Sequence, residues 1–269
     1  MSNGLSAEPA ADRILEVALT AARRAGRVLR ARLGRLRRVE TKGENDLVTE
    51  ADRRAEGIIA AEIRAVFPDH SLLAEEGTSG GGAAEHLWVV DPLDGTTNYV
   101  HTYPLFAVSI AYVYRGRPLV GVVYAPLLGE TFWAVAGKGA WLNGRRIRVS
   151  AVASLKQALV AAGLPSASEK RRDVVATVEE LIGQVQDFRS SGSAVLDLCF
   201  VAAGRLDAYF EHKLSPWDVA AGGLIVLEAG GQVTDLAGNP FRPTQSSALA
   251  TNGHLHAELL QRLRPASTD

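Results

Sequence analysis

The sequence predicts a layered α/β protein. Two amphipathic helical patterns come first, a run of β-rich segments joined by tight-turn signals follows, and short strands then alternate with helices toward the C-terminus. Alternation of this kind is the pattern of helices packed on sheets. The chain has 269 residues, 47% apolar and 22% charged, with a formal net charge of −1. At this length roughly three quarters of the unfolded surface is buried on folding, so a core needs no disulfide or metal staple. Disorder, collagen-like repeats and mini-protein scaffolds are thereby disfavoured. Near-neutrality argues against phosphate-backbone attraction over the whole surface, so nucleic acid is not a required partner. No internal repeat or long linker interrupts the chain, and residues 1–269 read as a single domain whose halves, 12–150 and 151–269, share one interface.

Residues 12–33 place Ile14, Leu15, Ala18, Leu19, Ala22, Ala25, Leu29 and Leu33 on one helical stripe, with Arg13, Arg23, Arg24, Arg27 and Arg30 opposite. That basic face reads as the solvated side of a packed helix, with a membrane-surface or nucleic-acid element as the alternative. A second helix is expected over 49–66, where Thr49 is the N-cap, Asp52 completes a capping box and Pro68 lies just past the end. The polar residues 41–46 read as a flexible connection, and 77–84 (GTSGGGAA) as a mobile loop. Residues 87–90 form a buried strand that stops at Asp91-Pro92. Residues 106–114 and 118–124 flank the turn 115–117 and predict a hairpin. Residues 131–135 and 147–149 extend the same sheet, with 142–145 as a hairpin-type turn between them. In the second half, strands at 159–162, 188–190, 206–210, 232–234 and 248–250 alternate with helices at 170–184, 195–203, 219–229 and 256–263.

The single cysteine, Cys199, lies in an apolar run and reads as a buried, inert thiol, which fits a reducing cytoplasm. Residues 1–11 lack the basic and apolar regions of a signal peptide. Apolar stretches such as 105–113 fall far short of the roughly 20 residues of a membrane span. A soluble, cytoplasmic protein is expected.

The most informative segment is Leu87-Trp-Val-Val-Asp91-Pro-Leu-Asp94-Gly-Thr-Thr-Asn98. An apolar strand ends in one carboxylate, a proline turns the chain, and a second carboxylate arrives three residues later at the exposed edge of a rigid core. Two anions held this close repel unless protons or cations offset them. Hard oxygen ligands with no histidine or thiol nearby suit Mg²⁺ or Mn²⁺, not zinc. Gly95-Thr96-Thr97 adds backbone N–H groups and hydroxyls at a helix start, chemistry that holds phosphate. An aspartate that merely caps a turn is the simpler alternative, but it does not account for the whole combination. Walker A, dinucleotide-binding, G-x-S-x-G and H-E-x-x-H patterns are missing. Glu75-Glu76 follows the apolar residues 72–74, and Asp218 follows Pro216-Trp217 at the start of an apolar helix. Three acidic element ends in one chain meet the need of a multi-metal phosphoryl site. The six histidines, among them His101, His212, His254 and His256, show no metal-ligand spacing.

These residues resemble the inositol monophosphatase family, within the Mg²⁺-dependent, lithium-sensitive phosphatases that include fructose-1,6-bisphosphatase. Asp91-Pro-Leu-Asp-Gly-Thr-Thr-Asn-Tyr99 is similar to the family's D-P-[IL]-D-G-T-x-N-[FY] motif, and Pro216-Trp-Asp-Val-Ala-Ala-Gly222 to W-D-x-[AS]-[AG]-G. Ala74-Glu75-Glu76 resembles G-E-E, with alanine in place of glycine. The likeness runs from about Lys42 to the C-terminal helix. It implies a five-layered αβαβα sandwich and a homodimer. It also implies that Glu75, Asp91 and the carbonyl of Leu93 hold one metal, that Asp91, Asp94 and Asp218 hold a second, and that a weaker third lies near Glu75, giving two or three Mg²⁺ per site. Thr96 with Glu75 would orient the attacking water, and the Gly95 and Thr96 amides would hold phosphate. Lys42, Thr49 and Asp52 match a mobile loop and a supporting acid. With those ligands the expected chemistry is hydrolysis by metal-activated water without a phosphoenzyme.

For the substrate, Gly192, Ser193, Ala194 and Glu211 match family positions that contact inositol hydroxyls. A carboxylate at Glu211 can accept two ring hydroxyls, which favours a phosphorylated polyol, most simply myo-inositol monophosphate. An exposed charge at a strand end is the alternative for Glu211. Histidinol phosphate, fructose 1,6-bisphosphate and 3′-phosphoadenosine 5′-phosphate stay open as substrates. A regulatory binding protein that keeps the fold and docks through the arginine face is a rival of another class.

Overall fold

The computed structural model describes residues 10–36, 39–43, 46–80, 83–164 and 168–263. Its first layer is a pair of helices, α1 (Ala11–Arg32) and α2 (Glu50–Val66). The small residues of the α1 stripe, Ala18, Ala21, Ala22 and Ala25, are fully buried, and the predicted arginine face is exposed. Arg24 of that face pairs with Glu62 of α2. Thr49 caps α2 as expected: its hydroxyl accepts from the Ala51 N–H, and its own N–H donates to Asp52 at 2.9 Å. Between the helices, β1 (Val39–Gly43) and β2 (Asp46–Thr49) pair antiparallel, so most of the stretch expected as a flexible connection is a ribbon. Its residues are mainly polar and join neither main sheet, so no apolar alternation marks them.

The second layer is an eight-stranded sheet. Its members are β3 (His70–Ala74), β4 (Ser79–Gly80), β5 (Ala83–Asp94), β6 (Ala107–Tyr114), β7 (Arg117–Ala125), β8 (Glu130–Val135), β9 (Gly139–Leu142) and β10 (Arg145–Ile147), in the order β10-β9-β8-β7-β6-β5-β3-β4. Only β3 and β5 run parallel. Three expectations need correcting. Part of the 77–84 loop is β4, paired to β3. The turn at 142–145 joins β9 to β10, not 131–135 to 147–149; β9 is a four-residue strand that begins in glycine and carries little sequence signal. Asn143 and Gly144 both have positive φ, which this two-residue turn demands. Lastly, β5 does not stop at Asp91 but continues to Asp94.

The second half runs β11 (Leu159–Ala162), α4 (Ser168–Leu181), β12 (Asp187–Arg189), α5 (Ala194–Ala202), β13 (Ala208–Glu211), α6 (Pro216–Glu228), β14 (Gln232–Thr234), β15 (Ala248–Thr251) and α7 (His256–Leu263), preceded by the five-residue α3 (Thr96–Val100) between β5 and β6. Strands β12-β11-β13-β15-β14 form a second sheet, parallel across its first three members. The apolar helices α5 and α6 lie between the two sheets, packed against Val89, Ala111 and Val123 on one side and Tyr209 and Ala250 on the other. Helices α4 and α7 cover the far face through Val174, Leu181, Leu259 and Leu263. The layers are therefore αβαβα, the order expected. Cys199 is fully buried in the middle layer, and burial pushes its thiol well up, as an inert side chain requires. Among the described residues, no helix is long and apolar enough to cross a membrane.

Candidate active site

Strand β5 alternates its side chains, and Val89 faces the middle layer. Asp91, two residues on, faces the same way. Asp91 lies opposite Ser109 and Asp94 opposite Ala107, so three steps on β5 match two on β6. This is a bulge, placed where Pro92 has no N–H to give the ladder. The Leu93 N–H turns to Asp91 Oδ1 at 2.9 Å. Both carboxylates are buried, 2% exposed at Asp91 and 8% at Asp94, where the sequence suggested an exposed edge. Gly95 then takes φ 86° and caps α3. A Cβ there would sit 3.0 Å from the Leu105 carbonyl and 3.3 Å from that of Gly192, so only glycine lets the turn close on both.

Helix α6 supplies the third acid. Asp218 closes a capping box, accepting the Ser215 N–H at 2.7 Å, which fixes its carboxylate at the helix start. Ser109 of β6, paired with Asp91 of β5, donates to the Trp217 carbonyl at 3.3 Å and holds that start against β6. Carboxylate oxygens of Asp91, Asp94 and Asp218 all lie within 4.8 Å of one another. Among the described residues this is the one group of acidic, histidine or cysteine side chains close enough to hold a metal ion. Parallel pairing of β3 with β5 sets Ala74 beside Val90, the Glu75 N–H donates to the Val90 carbonyl at 3.2 Å, and Glu75 faces the same cleft.

Electrostatics shows what this grouping needs. Burial, then the charges of Glu75, Asp94 and Asp218, holds Asp91 well above the usual carboxylate range. Asp218 is raised for the same reasons, burial first and Asp94 second. Asp94 is pushed up to about 7 by burial, although hydrogen bonds from the Ser193 hydroxyl and the Val195 N–H partly oppose the shift. Carboxylates packed this way require protons or cations, and an all-oxygen donor set suits a hard divalent ion. The residues fit such a group.

Around this centre is a cleft of about 810 Å³. At one wall the Thr96 hydroxyl lies 3.1 Å from Asp52 Oδ1 and 3.0 Å from the Leu93 carbonyl. Asp52 also binds Thr49, and burial raises its pKa. Lys42 falls on β1, and its side chain lies outside the described residues. On the other wall Gly192, Ser193 and Ala194 line the cleft, and Ser193 also caps α5 through the Leu196 N–H. Glu211 ends β13 inside the cleft, 9% exposed, and takes a hydrogen bond from the Tyr209 hydroxyl. It is not the exposed strand-end charge of the alternative reading; burial lifts its pKa to about 7.

Three residues were given no role by the sequence reading. Asp197 lines the cleft beside Glu211, with burial raising it to about 7; a lone acid in the apolar run 195–203 was the signal. Asn98 donates to the carbonyls of Leu105, at 2.6 Å, and Ser191, at 2.8 Å, clasping α3 to the second half. Glu56, on α2, carried no signal beyond an acid on an apolar helix face. Among the described residues no histidine joins the cluster, although His101 lines the cleft; His256 is buried against Thr234 and Thr251.

A sequence model of the inositol monophosphatase family matches residues 10–268. The chain belongs to the inositol monophosphatase family. Inositol monophosphatase 2 of Solanum lycopersicum is 42% identical over 260 residues, 94% of this chain and 98% of that protein. Nus factor SuhB of Pseudomonas aeruginosa is 44% identical over 260 residues, 94% of this chain and 96% of that protein. The solved structure of the Thermotoga maritima IMPase superposes with a TM-score of 0.87 at 40% identity, over 94% of this chain and 96% of that one. The five-layered architecture is thus that of the inositol monophosphatase family.

Proposed function

We propose that the protein is a Mg²⁺-dependent phosphatase of small phosphate monoesters, with myo-inositol monophosphate the substrate its cleft suits best. The observation that carries this reading is the convergence of Asp91, Asp94 and Asp218, beside Glu75, at the floor of a cleft whose far wall holds Glu211. Two similar structures support it: an IMPase-II, 28% identical, solved with inositol monophosphate bound, and an IMPase/NADP phosphatase, 25% identical, solved with Mg²⁺ and phosphate.

In this reading Glu75, Asp91, Asp94, Asp218 and the Leu93 carbonyl hold two or three Mg²⁺, with Mn²⁺ able to replace them. Bound there, the cations would neutralise phosphoryl charge and lower the pKa of a water. Glu75 and Thr96 would orient the attacking water, while Asp52 holds the Thr96 hydroxyl. Amides of Gly95 and Thr96, at the α3 start, take phosphate oxygens. Glu211 accepts hydroxyls of the polyol, and Gly192, Ser193 and Ala194 shape the wall beside them. No nucleophilic side chain is needed, and retention of all four acids favours catalysis over a purely regulatory role for the fold.

Release of phosphate from a panel of monoesters tests the reading: inositol monophosphate, histidinol phosphate, fructose 1,6-bisphosphate and 3′-phosphoadenosine 5′-phosphate, with Mg²⁺ and then with chelator. Inositol monophosphate should be preferred, chelator should abolish turnover, and Asp218→Asn should lower kcat/KM by about a hundredfold to a thousandfold, the scale of a lost electrostatic stabiliser. Turnover in excess chelator overturns the mechanism, and preference for histidinol phosphate overturns the substrate.

A further inference from the structure

Helix α2 carries two buried carboxylates one turn apart. Asp52 holds Thr96. Glu56, 4% exposed on a face otherwise made of Ala55, Ile59, Ala60 and Ile63, accepts the Glu76 N–H at 2.7 Å through one oxygen and the Thr78 N–H at 2.9 Å through the other. We propose that Glu56 is a positioning residue that fixes the Glu75 turn and thereby sets the affinity of the acidic centre for its cation. This rests on the proposed function, in which Glu75 is a metal ligand.

The chemistry of the grip is specific. Both loop groups are N–H donors, so two acceptor atoms are required, and a carboxylate supplies two. Glutamine would present one acceptor and one NH₂, leaving an amide facing a second donor. Burying a charge on an apolar face is unfavourable unless its hydrogen bonds offset the lost hydration, and the two charge-assisted bonds do so here. The turn they hold is short. Before it, the Glu75 N–H is fixed to Val90; within it, Gly77 takes φ 104°. Glu75 is therefore pinned on its strand side by β5 and on its loop side by Glu56. The same helix fixes Thr96 through Asp52, so α2 holds two walls of the cleft at one spacing. Groups that orient a ligand typically change metal affinity by about 10–100-fold when removed.

Mg²⁺ and Mn²⁺ titrations of the full chain, stripped with chelator and followed by calorimetry, test the proposal on wild type, Glu56→Gln and Glu56→Asp. Glu56→Gln should raise the half-saturating Mg²⁺ concentration about tenfold. Hydrogen exchange should speed up at the Glu76 and Thr78 amides. Glu56→Asp keeps the charge but is too short to bridge both donors, so its affinity should fall between the two and stand in for a glutamine variant that does not fold. An unchanged Mg²⁺ midpoint in both variants overturns the role of Glu56 while the function stands. A wild-type chain that binds no Mg²⁺ overturns the function as well.

Discussion

Gly163 gives a direct handle on what the cleft accepts. A Cβ at this position would fall 1.8 Å from Glu211 Oε2, closer than any contact can be. The same oxygen takes the Tyr209 hydroxyl hydrogen bond, so Gly163→Ala has to displace the carboxylate from that partner. If Glu211 receives the polyol hydroxyls, this variant should raise KM for inositol monophosphate about tenfold or more, since a hydrogen bond to a charged group contributes about 1.5–3 kcal/mol. Steady-state kinetics checks it, and the Mg²⁺ midpoint should stay put because no acid of the metal centre moves. A residue such as Gly163 shows why part of the site was hidden in the sequence. Asp91, Asp94 and Asp218 sit in compact motifs beside proline, glycine and tryptophan, so the pattern itself announced them. Glu56 and Gly163 act on backbone N–H groups and on a side chain 48 residues away respectively, and neither relation leaves a local pattern.

At the level of elements, the cleft depends on how closely α6 approaches the large sheet. Gly121 of β7 makes that approach possible: a Cβ there would lie 2.8 Å from the Ala221 carbonyl of α6. Backbone cannot yield as a flexible side chain does, so Gly121→Ala should push the helix away and destabilise the fold by about 2 kcal/mol, the usual scale for overpacking. Denaturant unfolding measures it, and an unchanged midpoint would mean that the layers slide without cost. Long elements with a strong period were legible beforehand. The α1 stripe, the Thr49 capping box and the β6–β7 hairpin fall where the sequence placed them. Short elements defined by partners were not: β9 is four residues long, β1 and β2 are polar, and β4 is two residues within a glycine-rich stretch. The continuation of β5 past Pro92 was missed for another reason. A bulge lets the strand tolerate a missing donor, and pairing with β6 across it is visible only in three dimensions.

For the molecule as a whole, stability should depend on pH and on divalent cations through the same atoms. In the cation-free protein Asp94, Asp197 and Glu211 titrate near 7, and Asp91 and Asp218 are also raised, chiefly because burial disfavours their charged forms. An unfolded chain releases these protons near pH 4. Between about pH 4 and 7 the folded state therefore holds more protons than the unfolded one, and stability falls as pH rises through that window. His256 opposes this over part of the range. Burial lowers it to about 4, so the unfolded chain binds its proton first on acidification and that contribution is lost as pH falls below about 6.5. His256→Gln removes the larger opposing contribution, leaving that of His70, which burial also lowers, so the carboxylates should dominate. In chelator, the Tm of that variant should then decline steadily from pH 5 to pH 8. Added Mg²⁺ competes with protons for the oxygens of Asp91, Asp94 and Asp218, so its stabilisation should be small at pH 5 and large at pH 8. At a hundredfold excess over Kd one bound ion adds about 2.7 kcal/mol. Thermal melts across pH, with chelator and with Mg²⁺, check both slopes. A Mg²⁺ effect that is flat with pH would mean that the cation binds elsewhere than at the buried acids.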